Sequence, residues 1–378
     1  MTEAEQKVSQ ADETALPADR LLTGSRLRSL DLGSFAQRFG LPLAWLAVIL
    51  FFSFKLPDTF FTQENMATIL GSQAVLVVVT LGLLIPLTAG DYDLSIASTL
   101  ALSANTVALV NVNHHRSIWV AMLAAVLVAM VVGLVNGGFV VLFGVDPFIV
   151  TLGMATFLQG IVFWISASQN ITGVDQTLID WTIIKRFLNV PIEFYYGLAL
   201  CVVIWYLFEL TPLGRRLLFV GRGRSVAFLS GIKVGRLRWG ALVASATIAG
   251  LAGILYAGTL GSSDPTSGTT FLLPAFAAAF LGATAITPGR FNAWGTIIAV
   301  YFLLTGINGL QLLGVPSYVQ QLFYGGALVL AVALSQVSRR RTDEGQGRLP
   351  TWALALTLSA ILAAFVALLV VLGLTQTG

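Results

Sequence analysis

Long runs of apolar residues, broken by short polar or glycine-containing turns, fill most of the chain from about residue 41 onward. The runs reach the roughly 20 residues that a helix needs to cross about 30 Å of hydrocarbon. They do not alternate in ten-residue strands, as a transmembrane barrel would require. Eleven spans are predicted, near 41–57, 65–86, 94–112, 117–143, 147–168, 190–210, 239–260, 270–286, 292–313, 317–336 and 351–374. The fold class is therefore an all-α polytopic membrane protein, with about ten core transmembrane helices and an extra C-terminal helix. Residues 1–40 read as a cytosolic tail, 41–337 as the transmembrane domain, 338–350 as a charged linker and 351–378 as the extra helix.

Charge orients this scaffold. From Gly214 to Arg238 there are seven basic residues, Arg215, Arg216, Arg222, Arg224, Lys233, Arg236 and Arg238, and no acidic one. Basic loops are retained on the cytoplasmic side of a bilayer, so segment 211–238 and the N-terminus are expected inside. Arg290, Arg339, Arg340, Arg341 and Arg348 then also fall inside. Within the loop, Ser225–Leu229 between Gly223 and Gly231 predicts a short, half-apolar helix, a docking surface for a soluble partner. The acid-rich start (Glu3, Glu5, Asp12, Glu13) does not read as a secretory signal.

Composition agrees: 56% of residues are hydrophobic and only 10% charged, where a soluble domain carries about a quarter. The net charge of +3 sits at the membrane edge and reads as topology, not nucleic-acid binding. The single cysteine, Cys201, excludes a disulfide framework and a cysteine-based metal site. No hydrolase elbow, zincin helix or phosphate-binding loop appears. The chain is expected to be non-catalytic, with no metal or cofactor of its own.

Polar residues inside an apolar scaffold are the candidate chemistry. Asp91 and Asp93 interrupt two apolar runs, and an ionised carboxylate there must be wet, paired or capping a helix. Capping of the following helix is one reading; lining a polyol pathway is the other. Asn105, Asn136, Thr151, Gln159 and Asn308 are further candidates for solute contact, each alternatively a helix–helix hydrogen bond. Asp146-Pro147 reads as a helix start. A faint inverted echo links Gly133–Gly137 and Pro147 with Gly306–Gly309 and Pro316, as in transporters built from inverted repeats.

Four segments together resemble the permease subunits of ABC importers, of the ribose-type sugar family. They are Gly90-Asp91-Tyr92-Asp93-Leu94-Ser95; Asn136-Gly137 with Pro147-Phe148-Ile149-Val150-Thr151-Leu152-Gly153; Thr211–Ile232; and Leu281-Gly282 through Gly314-Val315. The resemblance spans about 60–336. Asp91 and Ala97 each stand where the family pattern has Gly, and Gly223 where it has Asn.

The resemblance implies a cytosolic ABC ATPase partner that binds the ATP, a periplasmic or extracellular solute-binding protein, and a second permease copy, as a homodimer. It implies a multi-pass location in a bacterial plasma (inner) membrane. It also implies that Gly214, Arg215, Gly221, Arg222, Arg224, Ala227, Phe228, Leu229 and Gly231 form the ATPase-coupling loop. The expected activity is ATP-driven import of a sugar or sugar-like polyol by alternating access. A branched-chain amino acid or nucleoside on the same machinery, or an ion-coupled secondary transporter, are the competing readings.

Overall fold

The computed structural model describes residues 32–71 and 73–344. The predicted span at 351–374 and most of the N-terminal segment lie outside the described residues. Ten apolar helices or helix pairs account for the rest. They are α1 (Leu32–Lys55), α2 with α3 (Gln63–Gly71, Ala74–Thr88), α4 (Ile96–Ala108), α5 (Ile118–Val141), α6 (Pro147–Ile165), α8 (Ile192–Trp205), α11 (Val234–Leu260), α12 (Gly268–Gly282), α13 (Ala293–Leu312) and α14 (Tyr318–Glu344). Among the described residues, eight spans are at least 18 residues long and apolar enough to cross a bilayer; Gly268–Gly282 and Tyr318–Ala333 are shorter apolar helices. Between the spans lie a short α7 (Gln176–Ile179) and the hairpin helices α9 (Pro212–Arg222) and α10 (Arg224–Leu229). Two minimal ribbons pair Ile171–Thr172 with Ser262–Ser263 and Arg186–Phe187 with Val190–Pro191.

The layering follows from which helices can afford to be apolar all round. Every residue of α3 and of α4 is buried, so these two form the centre. α1 and α6 lie at the periphery and turn Leu43, Leu46, Leu50, Phe148, Ile149 and Leu152 outward. An outward-facing apolar surface of this kind is stable only against lipid. α11 runs along α5, α4 and α3. Its contact with α5 is close because Gly133 lacks a side chain: a Cβ there would lie 2.6 Å from Val243 Cα. Small residues at such crossings let the backbones approach.

Three boundaries differ from the sequence expectation. α1 begins at Leu32 rather than 41, and α14 continues to Glu344 through the expected linker. Both extensions carry the helix past its apolar run into polar sequence, where unbroken backbone hydrogen bonding still favours it. α11 begins at Val234, so Arg236 and Arg238 belong to its first turns and not to a loop.

The ends of the helices sort onto two faces. On one, Ile286 N donates to Arg38 O (3.0 Å), Arg290 approaches Glu209 at 3.5 Å, and the 88–91 turn meets the 221–224 turn. On the other, Asp175 N donates to Asn111 Oδ1 (2.9 Å), Gly173 N to Gly261 O (3.2 Å), and Gly71 abuts the Pro191 ring. Segment 211–238 therefore shares a face with 87–93 and 287–291, as the charge bias groups them.

Candidate functional site

Thr211 opens the hairpin. Its hydroxyl accepts from Gly214 N (3.3 Å) as the cap of α9, and Pro212 occupies the first turn. Gly214 lies against the backbone of Leu207 and Phe208, where a Cβ would collide. α9 buries Gly214, Leu217 and Val220 and turns Arg215, Arg216 and Arg222 to solvent. α10 follows immediately, burying Ala227 and ending at Gly231, whose φ is +79°. Ile232 N donates to Ala227 O and Gly231 N to Phe228 O, the paired closure that a left-handed glycine permits. The outcome is a short helix that presents Val226, Phe228 and Leu229, with Phe228 72% and Leu229 84% exposed.

The base of the hairpin rests on the end of α3. That helix closes in the same way at Gly90 (φ +80°), with Gly90 N donating to Leu87 O (3.1 Å) and Asp91 N to Pro86 O (2.9 Å). Gly221 sits directly on the Thr88 carbonyl, leaving no room for a Cβ. The turn at Gly90 delivers Asp91 to two arginines. Arg224 Nη2 donates to Asp91 Oδ1 (2.6 Å) and to Gly90 O (2.9 Å). Arg238 grips the same carboxylate from both sides, Nε to Oδ2 at 2.8 Å and Nη2 to Oδ1 at 2.9 Å. The Asp91 side chain has no exposed surface, Arg238 13% and Arg224 44%. Breaking such a buried pair costs about 3–5 kcal/mol, because the remaining charge is stranded; the half-exposed Arg224 contributes less.

Asp93, two residues on, is buried and bonded among the helices. Asp93 Oδ1 accepts from Ser95 N (3.1 Å) and Ser95 Oγ (2.6 Å), and Oδ2 from Ser245 Oγ of α11 (2.7 Å). Asn136 Nδ2 of α5 donates to Ser95 Oγ (2.8 Å). Thr151 of α6 accepts from Leu94 N (3.1 Å), with its hydroxyl near Tyr92 O and Pro147 O. Asp146 caps α6 by accepting from Phe148 N (2.8 Å), with Pro147 in the first turn.

Four of the seven polar candidates, Asp91, Asp93, Asn136 and Thr151, thus meet on one five-residue segment, 91–95. The other three lie apart. Asn105 Nδ2 bonds its own helix at Ala101 O (2.9 Å), Gln159 Nε2 reaches Pro265 O (2.7 Å), and Asn308 Oδ1 accepts from Asn65 (3.2 Å). Sequence reasoning did not single out Arg238, Ser95 or Ser245 as site residues. The available signal was Asp91 itself: an ionised carboxylate at the edge of an apolar core needs a cation, and the basic segment is the nearest supply.

These features define a polytopic helical membrane protein whose conspicuous solvent-facing element is a braced cationic hairpin, the architecture of a transport subunit. The chain belongs to the family described as branched-chain amino acid transport system / permease component, whose sequence model matches residues 65–332.

Among its relatives, the D-allose transport system permease protein of Escherichia coli K12 is 28% identical over 83% of this chain and 96% of its own. The ribose import permease protein of the same strain is 32% identical over 76% and 90%. The L-arabinose ABC transporter permease protein of Azospirillum brasilense is 27% identical over 88% and 97%. No solved structure matches the chain significantly. This spread of relatives does not single out the ribose type. The chain is the non-catalytic, membrane-spanning permease subunit of an ABC-type solute importer and works with a separate ATPase.

Proposed function

We propose that this permease carries a monosaccharide or sugar-like polyol inward across a bacterial plasma membrane, with segment 211–238 on the cytosolic face as the seat of its ATPase. Exposed Phe228 and Leu229 on α10 support this reading most directly. Two large apolar side chains on a basic, water-facing hairpin have a cost with no return unless a partner covers them. Such apolar anchors dominate interface energy, while the surrounding charges of Arg215 and Arg222 steer and orient.

The names of the D-allose, ribose and L-arabinose relatives support a sugar-class solute. A solute-binding protein on the opposite face and a second permease copy complete the machine, and the N-terminus lies inside with the hairpin. Alternating access would move the solute past a few neutral polar groups, since weak contacts let it leave. The family description itself favours a second reading, a branched-chain amino acid as solute; binding of sugars against amino acids to the partner solute-binding protein decides between them.

Phe228→Asp tests the docking role in proteoliposomes holding the whole importer. Losing an anchor of about 2 kcal/mol should weaken ATPase association about 30-fold and abolish stimulated hydrolysis. Normal hydrolysis by a correctly inserted Phe228→Asp protein would refute it.

A further inference from the structure

Asp91 stands where the family pattern has glycine, and it occupies the one place where the hairpin, α3 and α11 converge. Arg224 is the first residue of α10, and Arg238 lies in the first turns of α11. The two therefore flank the exposed Val226–Leu229 surface on either side in sequence, and a single carboxylate ties both to the end of α3. Two residues further on, Asp93 and Ser95 are bonded to Ser245 of α11 and Asn136 of α5, and Leu94 to Thr151 of α6. Hairpin and helix core are thus joined through one short connecting segment, whose Asp91 is bonded to the hairpin side and whose Asp93 is bonded among the helices.

We propose that Asp91 is a positioning residue for transport, a carboxylate clamp that passes displacement of the hairpin to segment 91–95 and so to α4, α5 and α6. The proposal rests on the hairpin being the ATPase seat. Its physical basis is stiffness. The bidentate Arg238 fork fixes direction as well as distance, and the Gly221–Thr88 backbone contact leaves no slack for the hairpin to tilt independently. Without the carboxylate the two guanidinium groups repel, so the hairpin would still hold the ATPase and still rest on the end of α3 but would pass less of its movement to segment 91–95.

Hydrogen–deuterium exchange on the complete permease–ATPase complex, with and without ATP plus vanadate, separates the two claims. In the unmodified importer the ATPase should protect 214–232, and nucleotide should change exchange across 91–100. In Asp91→Asn, protection of 214–232 should persist while the nucleotide response of 91–100 falls about fivefold or more, the lower end of ordinary site-to-site coupling. Removing all three charges (Asp91→Gly with Arg224→Ser and Arg238→Leu) should leave that response low as well, because the clamp is gone although no charge is stranded; recovery of the full response would overturn the clamp.

An unchanged response in Asp91→Asn would overturn the clamp and leave the docking role standing. Absent protection of 214–232 in the unmodified complex would instead overturn the docking role. Should Asp91→Asn fail to insert, Arg224→Gln, which spares the Arg238 fork, should lower the 91–100 response about twofold, and no change there would also overturn the clamp.

Discussion

The inner junction around residues 91–95 and the polar positions deeper in α4 and α6 make a useful pair. At the junction both oxygens of Asp91 are taken by side chains of α10 and α11, and those of Asp93 by neighbouring Ser95 and by Ser245 of α11. Deeper in, Asn105 Oδ1 and Gln159 Oε1 are buried and have no partner, as has Ser263 Oγ; at the junction the carboxylates are fully bonded, and Asn136 Oδ1 beside them is likewise without a donor. A carboxylate with both oxygens bonded is fixed in one geometry. A buried acceptor without a donor costs about 1–3 kcal/mol, a cost that repays only when something with an O–H or N–H arrives. The contrast separates framework from candidate solute contacts more sharply than polarity alone.

The largest effect should come from Asp93→Ala. It strands Ser95 and Ser245 and frees the start of α4, costing about 3 kcal/mol or more across three lost hydrogen bonds. The folded fraction after detergent extraction should drop steeply, and a normally stable Asp93→Ala protein would dissolve the distinction. Asn136→Leu removes one bond between helices, to Ser95 Oγ, leaves the serine still bonded to Asp93, and removes the unpartnered Oδ1, which offsets part of the cost. A loss of about 1 kcal/mol in a thermal-shift assay is expected, with slower uptake and unchanged affinity for the solute-binding protein. Asn308→Leu breaks a partly exposed 3.2 Å contact with Asn65, and its stability cost should be about half as large.

Much of this architecture was legible in the chain. Hydropathy located ten apolar helices or helix pairs among the described residues, because an all-apolar run of this length has no other stable home, but it missed the polar extensions at the start of α1 and the end of α14. Asp146-Pro147 marked a helix start, whereas the left-handed helix ends at Gly90 and Gly231 emerge only in the structure. The helix at 224–229 was foreshadowed by its apolar residues between two glycines.

Pairings across 133 and 147 residues were not legible. Arg224 and Arg238 look like any other members of a basic segment until the fold turns them toward Asp91. The start of α11 was missed for a related reason: Arg236 and Arg238 interrupt the apolar pattern, yet a guanidinium paired with a buried carboxylate sits comfortably on a helix. Hydrophobic periodicity reports which face is greasy, and is silent on which charges meet.

The smallest stability change, and the most discriminating one, belongs to Asn105→Leu. Its Nδ2 bonds only Ala101 O of its own helix, a carbonyl already used by the helix ladder, and its Oδ1 has nothing. Exchanging the amide for an apolar group of similar size removes the stranded acceptor, so stability should hold or rise by up to about 1 kcal/mol. Uptake should move in the opposite direction, slowing several-fold if a hydroxyl-bearing solute uses that oxygen in passing. Gln159→Leu should behave similarly but lose its 2.7 Å bond to Pro265 O. The two assays, thermal shift and uptake of a radiolabelled solute bound by the importer's solute-binding protein, therefore diverge at Asn105 and move together at Asn136. If Asn105→Leu lowers stability and uptake in parallel, the unpaired oxygen marks packing rather than passage, and both halves of the comparison collapse into one structural framework.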